Sequence, residues 1–263
     1  RLTLAGYTPS RYRLDKDFKP YEVQVAGLLR SGLLKRFESS GYAFARTCRK
    51  MADTLEGLPT MITTDGVIAS GDSLRDWIRM DLDDPATLEE WRSNADYEPA
   101  EDYLFEPLLA DINSDIALLR GMAATVDARL APQDDAKLKA LGETLVKVIA
   151  EAERDAALRA AARPGQEAAE KSFRDRDDRK TLVFSYFADT IYYRQDTLDR
   201  VLDSHPGLAV YKGRVGFVTG SARKSPGHGA MAGSVDQEQA VHGFAPKTGG
   251  PLDKHGKPTA SDK

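Results

Sequence analysis

Lys180-Thr181-Leu182-Val183-Phe184-Ser185-Tyr186-Phe187-Ala188-Asp189-Thr190 is the stretch on which the fold class turns. Thr181 to Ser185 is short, rich in β-forming residues and nearly continuous in apolar character, and Asp177-Asp178-Arg179-Lys180 bounds it on the left. A run of that kind reads as a strand buried on both faces, as in a parallel sheet. Asp189 to about Leu202 reads as a helix, apolar at Ile191, Leu198, Val201 and Leu202. A Pro206-Gly207 turn leads to Leu208-Ala209-Val210-Tyr211, and Val215-Gly216-Phe217-Val218 reads as a second strand. Strand, helix and strand within about 40 residues make a βαβ unit. Such a unit is expected to be right-handed with parallel strands.

Upstream of this unit the pattern is helical. Residues 1–20 read as a lead-in loop, punctuated by Pro9 and Pro20. From Tyr21 to about Leu58, Phe37, Gly41, Phe44, Cys48, Met51, Leu55 and Leu58 fall on one stripe. Lys35, Arg36, Glu38, Arg46, Arg49 and Lys50 lie largely off it, and Gly57 and Pro59 end the helix. Cys48 on the stripe reads as a packing residue. Residues 60–100 are acidic and interrupted, with short helices expected around Ser73–Met80 and Ala86–Trp91. Asp83, Asp84, Glu89 and Glu90 supply carboxylates but no partners for acid–base work, so they read as solvated surface. Glu106 to Leu130 shows one apolar face through Leu108, Ile112, Ile116, Leu119, Ala123 and Val126. Pro132-Gln133-Asp134-Asp135 is a turn and helix start, and Lys137 to about Ala162 is a further helix. Arg163-Pro164-Gly165 interrupts it, and Glu167–Arg179 is dense in both charges. After Gly220 the regular pattern stops, apart from a short helix expected at Val235–Val241.

The composition, 263 residues with 41% hydrophobic and 30% charged, is that of an ordinary globular chain with room for one or two domains. It contains no run of roughly 18 apolar residues, so no membrane partner is expected. A single cysteine leaves no internal disulfide or cysteine-based zinc cluster and suits a reducing cytoplasm. His205, His228, His242 and His255 are too scattered for metal-ligand spacing. The net charge of −4 is unevenly spread: residues 1–50 carry +7 and residues 51–117 carry −14. The first segment suits phosphates, the second does not, and two solvated faces are the plain alternative. Arg1-Leu2-Thr3-Leu4 and Ala260-Ser261-Asp262-Lys263 both read as cuts in a longer protein.

Motifs that carry chemistry are missing. Gly250 to Lys257 holds Gly256-Lys257, but the spacing is wrong for a phosphate loop and Pro258 stands where Ser or Thr is needed. Gly227-His228-Gly229-Ala230-Met231-Ala232-Gly233 places its last glycine one position too far for a dinucleotide fingerprint. Neither a Gly-x-Ser-x-Gly elbow nor a His-Glu-x-x-His pair occurs.

Lys180 to Thr190 resembles motif IV of superfamily-two helicases, in particular the Swi/Snf-type and RapA-like ATPases. Val218-Thr219-Gly220-Ser221 resembles the next strand end of that lobe. Asp135-Ala136-Lys137-Leu138-Lys139-Ala140-Leu141 resembles the helix preceding motif IV. Leu33-Leu34-Lys35-Arg36-Phe37-Glu38-Ser39-Ser40 resembles the helix that opens the second motor lobe, best matched in bacterial helicase-like proteins that include phage-defence systems.

The resemblance implies an α/β chain: a partial RecA-like parallel sheet over residues 171–263, truncated before motif V, preceded by a mainly helical region over 21–170. Residues of about 60–115 would be an acidic insertion open to a protein partner. It implies DNA as partner through backbone contacts by Ser185, Thr190, Thr219 and Ser221, short polar groups at strand ends and helix starts. Asp189 either joins them or caps the helix. Tyr186 either stacks on a base or sugar or packs under the helix. Arg36, Arg46, Arg49 and Lys50 are candidates for diffuse contact with the backbone. ATP and Mg would belong to the full-length parent, where a first RecA-like lobe completes the site and motifs V and VI supply its arginine finger. The alternatives are a non-enzymatic helical scaffold with an α/β appendage and, for want of a phosphate loop much less favoured, a small-molecule transferase.

Overall fold

Ser40 divides the first helical stretch in two. Its backbone is extended at φ −162° and ψ 148°, and its Oγ accepts a hydrogen bond from the Ala43 N–H. A serine in that conformation satisfies one of the open N–H groups of a new helix. The single helix expected from Tyr21 to Leu58 is therefore a pair, α1 (Pro20–Ser39) and α2 (Gly41–Thr60). The computed structural model describes residues 1–69, 73, 96–129, 135–162, 178–218, 224–229, 233–236 and 244. The chain divides into two units, Arg1–Leu130 and Ala131–Lys263.

In the first unit, α1 and α2 pack with α3 (Phe105–Arg129). Cys48, Leu55, Leu108, Ile112 and Leu119 are fully buried in the seam, as the apolar stripes predict. Each such aliphatic side chain contributes roughly 1.5–3 kcal/mol relative to exposure. Arg49 pairs with Asp127 near the end of α3, while Glu56 pairs with Arg120 earlier in it, so α2 and α3 run antiparallel. The stripe's first member, Phe37, is 52% exposed and meets Phe44 edge-on with centroids 5.2 Å apart.

Helix α2 outlasts its expected end. Pro59 lies inside it, and the chain widens into a π turn over Met61–Asp65. Proline has no N–H to give to the carbonyl one turn back, and the wider register absorbs that gap. Gly66, at φ +68°, closes the turn in the left-handed region that glycine enters without penalty. A two-stranded antiparallel ribbon follows, β1 (Val67–Ala69) with β2 (Tyr97–Pro99), in the register Val67 opposite Pro99. The helices expected around Ser73–Met80 and Ala86–Trp91 lie outside the described residues, apart from Ser73.

Residues 1–20 include both buried and exposed parts: residues 14–18 are exposed and non-helical, as a loop would be. Leu4 to Ser10 are all buried, in two short 3-10 turns, Ala5–Tyr7 and Pro9–Tyr12. The acidic stretch beyond residue 97 is likewise built into the unit: Tyr103 bridges Arg13, and Asp115 is 0% exposed within α3.

In the second unit α4 (Ala136–Ala162) begins at Asp135, whose Oδ1 accepts the Lys137 N–H at 2.8 Å and the Leu138 N–H at 3.1 Å. This is the helix start expected from Pro132–Asp135. Leu145 and Ile149 of α4 pack on Leu198 and Leu202 of α5 (Ala188–Asp203) and on Leu208. A 3-10 turn, Pro206–Tyr211, leads to β3 (Arg214–Gly216), β4 (Lys224–Gly229) and β5 (Gly233–Asp236). These three strands are antiparallel neighbours in the order β3-β4-β5. The mainly helical character stands, but among the described residues only antiparallel strands pair and no parallel βαβ sheet is seen. Thr181–Ser185 has no ladder partner among the described residues. A parallel strand must find neighbours far along the chain, whereas β3, β4 and β5 pair through short local connections. Val235 accordingly lies in β5 rather than in the short helix expected at Val235–Val241, and residues 237–243 lie outside the described residues.

Thr54 is 6% exposed and its hydroxyl is without a hydrogen-bond partner. A buried, unsatisfied hydroxyl is unfavourable, so Thr54→Val is expected to raise stability by about 1 kcal/mol. The midpoint of urea unfolding measures it, and an unchanged or lower midpoint contradicts the reading.

Glu22 is 1% exposed, and its carboxylate accepts the Ser10 N–H at 2.9 Å. Burial raises its pKa above the ordinary value, opposed by Ser10 and Lys19. At a pH between the unfolded and the raised folded value, the folded protein holds a proton that the unfolded chain has released. Glu22's contribution is fully present below its unfolded-state pKa and is lost as pH rises through the raised folded value. Glu22→Gln is expected to flatten this fall, as urea midpoints between about pH 4 and pH 7 will show.

Candidate nucleic-acid interface

The run from Lys180 to Thr190 is a non-helical segment followed by a helix. Residues 180–187 are non-helical and α5 starts at Ala188. At its left end the Tyr211 hydroxyl donates to the Arg179 carbonyl at 2.8 Å. The Lys180 ammonium lies over the Phe244 ring, 5.9 Å from its centroid. Between these anchors and the helix the apolar side chains face outward: Leu182 is 60%, Phe184 84% and Tyr186 89% exposed. Burial on both faces was the expectation for this run. Burial of a strand comes from its neighbours, and the described residues provide none.

Ser185 is half-buried and turns back on its own backbone. Its Oγ accepts the Phe187 N–H at 3.4 Å and donates to the Phe187 carbonyl at 3.3 Å. Both bonds are at the long end of the range, so the hydroxyl is weakly held and can exchange them for a stronger acceptor. Tyr186 meets Phe187 edge-on, with centroids 4.9 Å apart, and is not packed beneath α5.

The cap of α5 is Phe187, extended at φ −112° and ψ 130°, with no side-chain cap bond. Asp189 therefore lies one residue inside the helix rather than at its cap. An acidic residue in the first turn still complements the helix dipole. The side chain of Asp189 is outside what the structure describes. Thr190 is 2% exposed, and its N–H donates to the Phe187 carbonyl at 3.1 Å. A phosphate contact through its hydroxyl is not open in this arrangement. Thr219 and Ser221 lie outside the described residues.

The basic candidates belong to the first unit. Arg36 is half-buried in the last turn of α1, and its carbonyl accepts the Ser40 N–H. Arg49 is bound to Asp127, which makes it a seam residue. Arg36, Arg46 and Lys50 each have an intramolecular interaction, so none is a bare cation.

The sequence reading missed the polar groups at the core of the first unit. Asp115 accepts three hydrogen bonds from residues 3–5, and Glu98 binds Arg13, Lys19 at 2.9 Å and the Tyr103 hydroxyl at 2.6 Å. Arg13 also stacks over the Tyr103 ring. The signal was present for Asp115 and Glu22. Each is a charge set on an apolar helix face, among Ile112, Ile116 and Leu119 in one case and Ala26 and Leu33 in the other.

These groups are satisfied by one another and form no acid–base or nucleophilic constellation. Burial pushes the Cys48 thiol up to about 11, which removes it as a nucleophile at neutral pH. Among the described residues no cluster of His, Cys, Asp or Glu could hold a metal ion, and none forms a phosphate loop. Among the described residues no ligand set for Mg is brought together, and no step of hydrolysis is assigned to them. No helix among the described residues is long and apolar enough to cross a membrane. Comparison with known proteins supplies no relative: no family model, no curated protein and no solved structure matches this chain.

Proposed function

We propose that this chain is part of the second motor lobe of a DNA-stimulated, ATP-driven helicase or translocase, related to the Swi/Snf-type and RapA-like ATPases. The observation that carries the reading is the run from Lys180 to Thr190. It has the composition of a buried strand, is non-helical over residues 180–187, leaves Leu182, Val183, Phe184 and Tyr186 exposed, and leads into α5 at Ala188. Apolar β-forming residues in that state suit a strand whose neighbours are supplied elsewhere. In the proposed lobe those neighbours make the RecA-like parallel sheet. The order of the other resemblances, at Leu33–Ser40, Asp135–Leu141 and Val218–Ser221, supports the same reading.

In this role Ser185, Thr219 and Ser221 donate to DNA phosphates at the sheet's edge, while Thr190, buried at the start of the following helix, and Asp189 beside it serve that helix rather than the phosphates. Tyr186 presents an unobstructed ring to a base or sugar. Arg36 adds backbone attraction from the first unit. ATP and Mg would be held by a first RecA-like lobe, in the cytoplasm, and the acidic residues of about 60–115 would meet a protein partner. One observation favours a second reading, that of a non-enzymatic helical scaffold. The first unit has a well-filled core of its own and an open apolar groove between Phe37, Phe44 and α3.

Fluorescence anisotropy with labelled single-stranded DNA tests the proposal. The chain is expected to bind weakly, with affinity falling steeply as salt rises. Tyr186→Ala is expected to weaken binding by roughly 1–3 kcal/mol without changing the salt slope. Arg36→Ala is expected to lower the slope by about one. Binding that ignores both substitutions, or that is independent of salt, removes the motor reading. Steady ATP turnover by the pure chain would contradict the placement of the active site elsewhere.

A further inference from the structure

We infer that residues Leu2 to Leu14 form a strap that lifts from the first unit as one cooperative piece, hinged on the buried carboxylate of Asp115. The inference does not rest on the motor reading. Two short 3-10 turns have little stability of their own, so the segment is held by what it touches. At its left end Asp115 Oδ1 accepts the Thr3 N–H at 2.7 Å. Its Oδ2 accepts the Thr3 hydroxyl at 2.8 Å and the Ala5 N–H at 2.9 Å. Between these two amides Leu4 stands in the left-handed region, at φ 62°. A residue in that conformation turns the N–H groups beside it into one concave anion site, and here the anion is Asp115. Arg30 holds the same end through the Leu2 and Thr3 carbonyls, at 3.3 and 3.0 Å.

The right end has separate anchors. Glu22 accepts the Ser10 N–H, Asp111 accepts the Tyr12 hydroxyl at 2.5 Å, and Leu104 donates its N–H to the Tyr12 carbonyl at 2.7 Å. The middle couples the two ends. A Cβ on Gly6 would lie 2.5 Å from Leu55 Cδ2 and 2.7 Å from Leu58 Cδ1, so the backbone there is pressed onto α2. Under Gly6 and Pro9 lies a small apolar cavity floored by Leu58, Leu108 and Ile112. The strap therefore cannot slide along the helices. It leaves by lifting, and lifting it uncovers that floor while α1, α2 and α3 keep their own seam.

Amide hydrogen exchange on the whole chain reads this device. Asp115→Asn replaces one acceptor oxygen by a donor that faces Thr3 or Ala5. It is expected to reduce protection of the Tyr7, Thr8, Arg11, Arg13 and Leu14 amides by about tenfold or more, to a common level. Amides within α2 and α3 should change far less. Thr3→Val removes only the hydroxyl bond and should produce the same pattern more weakly, which keeps the test open should the first variant fail to fold. Loss confined to residues 3–8, with Arg13 and Leu14 unchanged, would mean independent anchors and would overturn the inference. So would equal loss across the helices, or no loss at all.

Discussion

A carboxylate buried at Asp115 sets the terms for the first unit. Removing an ionised group from water costs far more than packing returns, unless donors surround it. Asp115 sits at 0% exposure on the core face of α3, and its donors come from a segment more than 100 residues earlier in the chain. The lead-in must therefore lie on the bundle, with Leu4 held in a conformation a leucine otherwise avoids. Once it is there, Leu4, Ala5 and Tyr7 fill the space above the α2–α3 seam. Charge-assisted hydrogen bonds, at roughly 1.5–3 kcal/mol each, are strong enough to offset the backbone strain at one residue.

The same dependence explains which parts of the fold could be read from the sequence. The seam of α2 and α3 was legible because its determinants are local: Cys48, Leu55 and Leu58 on one stripe, Leu108, Ile112 and Leu119 on the other. The start of α4 at Asp135 was legible for the same reason. The break at Ser40 was written in Ser39-Ser40-Gly41, yet the apolar period runs through it unbroken and hides the cap. The lead-in was not legible. Pro9, Gly6 and Thr3 look like loop residues, and only their distant partners, Asp115 and Glu22, make them core. A charge on an apolar stripe is the one local sign that such a partner exists.

The strand reading of Thr181–Ser185 differs in kind. Composition records what a segment is suited to, and pairing depends on what lies beside it. Leu182, Val183 and Phe184 are suited to burial on two faces and here face outward. β3 finds β4 across a short connection, so the local pairing is made and the distant one is not. At the candidate site the run before α5 is non-helical and unpaired among the described residues, with Ser185 half-buried and Tyr186 exposed. Thr190, in the first turn of α5, is 2% exposed and closed off by burial.

Ser185 holds its own backbone through two long, weak bonds, and Tyr186 touches little beyond Phe187. Both can change partner at small cost, which suits groups that meet a ligand. Thr190 is fixed by burial and serves the start of α5 instead. In the proposed motor lobe, contact with a phosphate chain falls to the residues before the helix, while the helix supplies the dipole behind them. A strand docking onto Thr181–Ser185 would bury Leu182 and Phe184 and hold Ser185 in place. Sheet assembly and ligand contact would in that way be coupled through a single residue at the strand's end.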